Sequence, residues 1–190
     1  MRPFCRVTSL IAPLPLTNVD TDLIIPAQYL TSTKRGGYGE NLFRRLKDDM
    51  PDLFLNQPRY QGASILMVGP NFGCGSSREH AVWALLEAGI KVVIGSDFAD
   101  IFASNSAKNS LLLISLRPET VSELLSKVGM SPTSATVDLA SQEVIIGDGG
   151  PLSFSYDPFR KECLLQGYDD VDYLMARERL IREYFTRRTV

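Results

Sequence analysis

Ser76, Ser77 and Arg78 bring two hydroxyls and a guanidinium together directly behind a two-glycine turn, Gly73-Cys74-Gly75, and just ahead of Glu79 and the only histidine, His80. Ser76 and Glu79 have the S-x-x-E spacing of a capping box, in which the serine oxygen accepts a free N–H of the first turn and the carboxylate reaches back. A helix start of this kind attracts anions, because its first N–H groups have no intrahelical partner and the helix dipole adds partial positive charge there. Gly73 and Gly75 let a ligand approach the backbone closely. The dinucleotide-binding pattern needs a third glycine where Arg78 stands, and the P-loop needs Lys-Ser after a glycine, where this chain has Gly75-Ser76. A small carboxylate therefore suits the turn better than a pyrophosphate, since a guanidinium meets a carboxylate through paired N–H groups. An ordinary capped helix with no chemistry fits the same spacing.

Other groups lie further off in sequence. Asn18-Val19-Asp20-Thr21-Asp22 is dense in side chains that bond locally to backbone, and the pattern predicts a turn followed by a buried strand over 23–25. Thr31-Ser32-Thr33-Lys34-Arg35-Gly36-Gly37-Tyr38-Gly39 is polar and glycine-rich with two adjacent cations. Loops of that make-up often cover ligands, and a solvated loop is the plainer reading. His80 has no visible Asp and Ser partner pattern and reads as structural, and Cys74 as a small residue in a tight turn.

The elements that must position these groups follow from pattern. The apolar run 63–68, the glycine turn, a helix ending at Gly89 and the apolar run 92–95 read as strand, loop, helix, strand. Residues 5–10 suit a short strand, with Pro13 and Pro15 holding an extended connection, and 40–47 a short helix. Ser96 and Asp97 are placed to cap a helix carrying Phe98, Ile101, Phe102 and Asn105 on one face, ahead of a strand at 111–116. Pro118 opens a helix that Gly129 closes, three short strands follow at 136–139, 143–146 and 152–156, and Asp157-Pro158 opens another helix. A final helix over 170–186 sets Val171, Leu174, Met175, Ile181, Tyr184 and Phe185 on one stripe, as core or subunit contact, with Glu178/Arg182 and Glu183/Arg187 at i,i+4.

A chain of 190 residues can bury a real core and favours one domain, 1–190, with no linker or internal repeat. Hydrophobic residues at 44% and charged residues at 22% are those of an ordinary globular protein. A net charge of −2 without a basic block argues against nucleic acid as a partner. No apolar run reaches signal-peptide or membrane-helix length, so a cytoplasmic location is expected. Cys5, Cys74 and Cys163 are odd in number and far apart, and neither a disulfide framework nor a zinc or iron–sulfur ligand set is visible in them.

GSSREHA after the glycine turn, preceded by NVDTDLIIPAQYL and followed by VVIGSDFADIFASNSAKNSLLLI, resembles the small subunit of bacterial 3-isopropylmalate dehydratase, which is itself similar to the swivelling fourth domain of aconitase. The resemblance implies an α/β fold, a three-layer swivelling β/β/α domain with mixed strands around the βαβ unit. It implies a hydro-lyase of leucine biosynthesis acting on a small dicarboxylate 2-hydroxy acid. It also implies a half-enzyme, completed as a heterodimer or larger assembly by a large subunit that carries a [4Fe–4S] cluster, with no cofactor on this chain. In that family Ser76 matches the base, acting as an alkoxide, with Arg78 to stabilise it and to clamp a carboxylate. Ser77 contributes its backbone N–H, and Gly75 lies against the substrate. Asp22 matches an aspartate that orients a histidine of the large subunit. Thr33, Lys34 and Arg35 fall in the substrate-recognition loop, Arg35 matching a carboxylate clamp. The small subunit of homoaconitase, or of a related dicarboxylate hydro-lyase, shares this chemistry and differs only in the loop after Tyr29. A non-catalytic module that holds an anion at a capped helix needs no partner and no convergence of Asp22, Arg35 and Ser76.

Overall fold

The computed structural model describes residues 3–30 and 36–188. Seven strands form one mixed sheet: β1 (Arg6–Leu14), β2 (Ile65–Val68), β3 (Val92–Gly95), β4 (Leu112–Ser115), β5 (Ser134–Asp138), β6 (Glu143–Ile146) and β7 (Leu152–Ser153), in the order β4-β3-β2-β1-β5-β6-β7. The half from β4 to β1 is parallel, with Ile11 opposite Ile65 and Met67 opposite Ile94. From β1 outward through β5, β6 and β7 the pairing is antiparallel. Alternation along the strands sorts the core into two layers. Leu14, Leu66, Val68 and Val93 pack on the side of helices α1 (Thr21–Ile24), α2 (Arg44–Asp49), α3 (His80–Glu87) and α4 (Asp100–Lys108). Ile65, Met67, Val92 and Ile94 pack on the other side, with Val128 of α5 (Pro118–Met130) and Leu164 of α6 (Pro158–Gln166). Strands covered on both faces read as unbroken apolar runs, which is why ILMV and VVIG show no polar alternation. This mixed α/β architecture, with two successive βαβ units, β2-α3-β3 and β3-α4-β4, is the fold class the resemblance implied.

Several local expectations are corrected. β1 does not stop at residue 10 but runs through Pro13 to Leu14. The N–H of Ile11 points to the β5 side, where it donates to the Thr133 carbonyl at 2.9 Å, so Pro13 turns its missing donor to that same side, where β1–β5 pairing has already ended at Leu10. No ladder bond is lost. The buried strand expected at 23–25 is a helical turn, α1, because Asp20 caps it by accepting the Leu23 N–H at 2.7 Å. Asp97 does not cap α4: it accepts the Asn71 N–H at 2.7 Å and the Ser96 hydroxyl at 2.6 Å, and α4 starts uncapped behind Ala99 with Ile101 exposed. α5 continues past Gly129, and α6 is capped by Asp157 as the sequence predicts.

The C-terminal segment departs furthest from expectation. In place of one helix there are two, α7 (Asp170–Met175) and α8 (Glu178–Arg188), the first held by a capping box between Asp169 and Asp172. The stripe read as core or subunit contact is not core: it is largely in solvent, with Val171 and Met175 each 65% exposed. Of the two ion pairs expected there, Glu178–Arg182 forms at 2.6 Å, while Glu183 meets Arg179 at 3.7 Å rather than Arg187. The apolar period in this stretch is real, but within the chain it has little to pack against.

Candidate active site

The site grows from the carboxyl ends of adjacent parallel strands, where chains leaving a sheet in the same direction bring their loops together. Beyond β1 the chain turns at Asn18 (φ 54°) toward Asp20, and beyond β2 it turns at Asn71 (φ 58°) toward Gly73. The two loops are laced to each other. Asn71 Nδ2 donates to Asn18 Oδ1 (2.8 Å), the Gly73 N–H to the Val19 carbonyl (2.8 Å), the Thr21 N–H to the Cys74 carbonyl (3.0 Å) and the Thr21 hydroxyl to the Ser76 carbonyl (2.9 Å). Gly73 sits at φ +80°, and a Cβ there would lie 2.3 Å from Cγ of Phe102. Gly75, at φ +83°, passes with its would-be Cβ 3.2 Å from the Cβ of Asp20. Both glycines are required by backbone conformation, and Gly73 by space as well.

This lacing brings Asp22 to Arg78, 56 positions apart, with Arg78 Nη1 donating to Asp22 Oδ1 at 2.6 Å. The Ala27 N–H donates to the same oxygen at 3.1 Å, and Arg45 Nη1, from α2, to Oδ2 at 2.9 Å. The Arg78 guanidinium beside Asp22 holds its carboxyl below the usual carboxylate range. Desolvation pushes the other way, and the Ala27 N–H and the Arg45 charge add to the lowering. A guanidinium has five N–H donors, so Arg78 keeps donors beyond the one Asp22 engages.

Ser76 and Ser77 stand exposed beside this pair. The capping box read at Ser76 and Glu79 does not form: α3 begins only at His80, Glu79 occupies the cap position, and no side chain caps the helix. Among the described residues the N–H groups of Ser76, Ser77 and Arg78 donate to no backbone carbonyl, and the Ser76 hydroxyl makes no hydrogen bond. Among the described residues the turn thus holds unengaged donors and a free hydroxyl at the surface, next to Arg78 and its partner Asp22. His80 is packed edge-on against Trp83 (4.7 Å between ring centroids) and Tyr38 (5.3 Å), the structural use expected of it. Thr33, Lys34 and Arg35 lie outside the described residues. The chain just after them is anchored to α3, the N–H groups of Tyr38 and Gly39 both donating to Glu87 Oε2, at 2.7 and 3.0 Å.

Arg45 is the contact that sequence reasoning missed. It lies in a stretch read only as a short helix, and no spacing rule connects it to an aspartate 23 positions away. Among the described residues no group of three His, Cys, Asp or Glu side chains could hold a metal. Cys5, Cys74 and Cys163 are free cysteines, and among the described residues they form no cluster-ligand set.

Residues 1–119 match the family model described as the aconitase C-terminal domain. Over 97% of its length the chain is 52% identical to the 3-isopropylmalate dehydratase small subunit of Francisella philomiragia, again covering 97% of that protein. It is 49% identical to the small subunit of Paramagnetospirillum magneticum over 94% of this chain and 92% of that one. The crystal structure of 3-isopropylmalate dehydratase from Methanocaldococcus jannaschii superposes with a TM-score of 0.69 at 25% identity, covering 94% of this chain and 99% of that one. The chain belongs to the family of 3-isopropylmalate dehydratase small subunits.

Proposed function

We propose that this chain is the substrate-activating half of an isomerase that dehydrates 2-isopropylmalate and rehydrates the product with the opposite regiochemistry, giving 3-isopropylmalate. The observation that carries this reading is the Asp22–Arg78 pair at 2.6 Å beside an exposed serine turn whose N–H groups and hydroxyl are unengaged among the described residues. The reaction needs cationic clamps for two carboxylates, a base for an unactivated C–H proton, and a Lewis acid for the departing hydroxyl. The [4Fe–4S] cluster of the large subunit supplies the Lewis acid.

Ser76 takes the proton from carbon as an alkoxide. A serine hydroxyl is a weak acid, so its anion requires the N–H donors of the turn and the positive charge of Arg78 two residues on. Arg78 turns the donors that Asp22 leaves open toward a substrate carboxylate. Ser77 offers its N–H and Gly75 its bare backbone to the same ligand. Asp22, kept ionised by Arg78 and Arg45, offers its carboxylate to a histidine of the large subunit. Thr33, Lys34 and Arg35 form the recognition loop, Arg35 clamping the second carboxylate. The seven strands share one sheet, which supports reading 1–190 as one swivelling domain. Among the described residues no helix is long and apolar enough to cross a membrane, which is consistent with cytoplasmic work.

The test is reconstitution. The purified chain is expected to show no isomerisation alone and to gain it with the cluster-bearing large subunit. In the assembled enzyme Ser76→Ala is expected to lose turnover by roughly 10²-fold or more while substrate binding is retained. Turnover by the chain alone, or a normal kcat for Ser76→Ala, refutes the reading.

A further inference from the structure

α3 has no capping side chain, although a serine and a glutamate stand at capping-box spacing before it. Its start is held from a different helix. Asn109, at the C-terminal end of α4, donates through Nδ2 to Glu79 Oε1 at 2.7 Å and to the Asn105 carbonyl at 2.9 Å, and its Oδ1 accepts the Trp83 indole N–H at 3.0 Å. An asparagine amide has two donors and one acceptor oxygen, and here each is used. The orientation is unambiguous, because an ionised carboxylate only accepts and an indole N–H only donates. Asn109 is itself fixed, its N–H donating to the Ser106 carbonyl at 3.1 Å just ahead of β4.

Glu79 is the point where this grip reaches the site. Its carbonyl accepts the N–H groups of Val82 (3.0 Å) and Trp83 (3.2 Å), and the preceding carbonyl, of Arg78, accepts that of Ala81 (3.3 Å). Where Asn109 holds the Glu79 side chain, the peptide between Arg78 and Glu79 is held too.

We propose that Asn109 is a positioning residue: by gripping Glu79 from α4 it does the helix-starting work that the sequence assigns to Ser76, leaving the Ser76 hydroxyl free and Arg78 aimed at Asp22. This inference rests on the reading of Ser76 as the base. A side chain that caps a helix is committed to a backbone N–H, whereas one that takes a proton from substrate must be uncommitted. Moving the task to Asn109 satisfies both demands.

The test uses the complex with the large subunit. Asn109→Asp keeps the acceptor for Trp83 but sets a carboxylate against Glu79. It is expected to lower kcat by at least about tenfold, the scale of a lost hydrogen bond to a charged group, with KM for 2-isopropylmalate changed less than about threefold. Adding Glu79→Gln reverses the bond to residue 79, with an amide donating to the new carboxylate, and is expected to recover at least about threefold of the lost kcat, while the Asn105 carbonyl stays without the donor that Asn109 gave it. Trp83 is the only tryptophan, so its emission reports the same grip: the shift seen in Asn109→Asp is expected to disappear in the double variant. An unchanged kcat in Asn109→Asp, or a double variant as impaired as the single one, overturns the proposal. If Asn109→Asp does not fold, Glu79→Ala on the other side of the pair is read instead, with the same expected loss and the same refuting result. Ser76→Ala run in parallel separates the two readings. Activity in Ser76→Ala overturns the base assignment and this inference with it, whereas an inactive Ser76→Ala beside a normal Asn109→Asp overturns the positioning role alone.

Discussion

Replacing Asp22 by asparagine keeps the shape of the side chain and removes its charge from between two guanidiniums. The Arg78 contact is short, 2.6 Å, and its side chains are 23% and 34% exposed, while Arg45 is 58% exposed. Hydrogen bonds to charged groups contribute about 1.5–3 kcal/mol when buried. Exposed ion pairs contribute about 0.2–1 kcal/mol. With Asp22 a third exposed, and with the amide oxygen still able to accept from Ala27 and Arg78, the loss of stability should be about 1 kcal/mol. For a chain of this size that corresponds to a fall in Tm of about 2–4 °C. Activity in the assembled enzyme should fall far more, by roughly 10²-fold or beyond, because a neutral amide holds Arg78 more weakly and lacks the carboxylate charge on which the proposed role toward a partner histidine depends.

The pH dependence of the same variant carries a sign. The folded pKa of Asp22 lies below its ordinary value of 3.8, so its contribution to stability is fully present above that value and is lost as pH falls through the depressed folded pKa. The melting curves of wild type and Asp22→Asn should therefore stand apart near neutrality and converge in acid. Thermal melts of the isolated subunit across that range, paired with kcat of the assembled enzyme, measure both parts. A gap in Tm that widens toward acid, or a normal kcat, refutes the reasoning.

Gly73→Ala should destabilise the subunit by about 2–5 kcal/mol, from left-handed backbone strain and overpacking together, since its Cβ would lie 2.3 Å from Phe102. Gly75→Ala meets Asp20 at 3.2 Å and should carry chiefly the backbone strain, about 1–2 kcal/mol. Urea midpoints of the two variants check the order, and equal midpoints contradict it. Arg78→Lys keeps the charge but not the paired planar donors, and kcat/KM of the assembled enzyme should fall by about 10²-fold. Ser77→Ala should lose less than Ser76→Ala, because the backbone N–H that Ser77 contributes survives the substitution; a larger loss reverses the assignment of the two serines.

The parallel half of the sheet was legible because strands buried on both faces leave unbroken apolar runs, and 65–68, 92–95 and 112–115 lie within the stretches predicted. Ser76, Arg78 and Asp22 were legible as types in a pattern, through resemblance more than through spacing. Spacing alone did not bring Asp22 to Arg78, since that contact depends on two loops laced by backbone bonds between residues more than fifty positions apart. Arg45 left no signal for the same reason. At the C-terminus the period was read correctly, and of its two readings, core or subunit contact, the structure removes only the first: an apolar stripe states that a face wants cover, and among the described residues Val171 and Met175 remain exposed.

The misread capping box shows where local rules yield to tertiary ones. S-x-x-E predicts a helix beginning after Ser76, with the serine bound to the first turn. Three tertiary contacts compete for those same residues: Thr21 takes the Ser76 carbonyl, Asp22 takes the Arg78 guanidinium and Asn109 takes the Glu79 carboxylate. The Asp22–Arg78 bond is charge-assisted, and Asn109 occupies one oxygen of the Glu79 carboxylate that a capping box would turn back to the Ser76 N–H. The chain between Gly75 and Glu79 is thereby pulled open, and α3 starts four residues beyond Ser76. Local consistency fails here at a turn that carries functional candidates, as expected where a site's geometry is held by its surroundings rather than by its own propensity. A turn that obeyed the capping rule would have its first N–H bound and its serine engaged, leaving neither for a substrate.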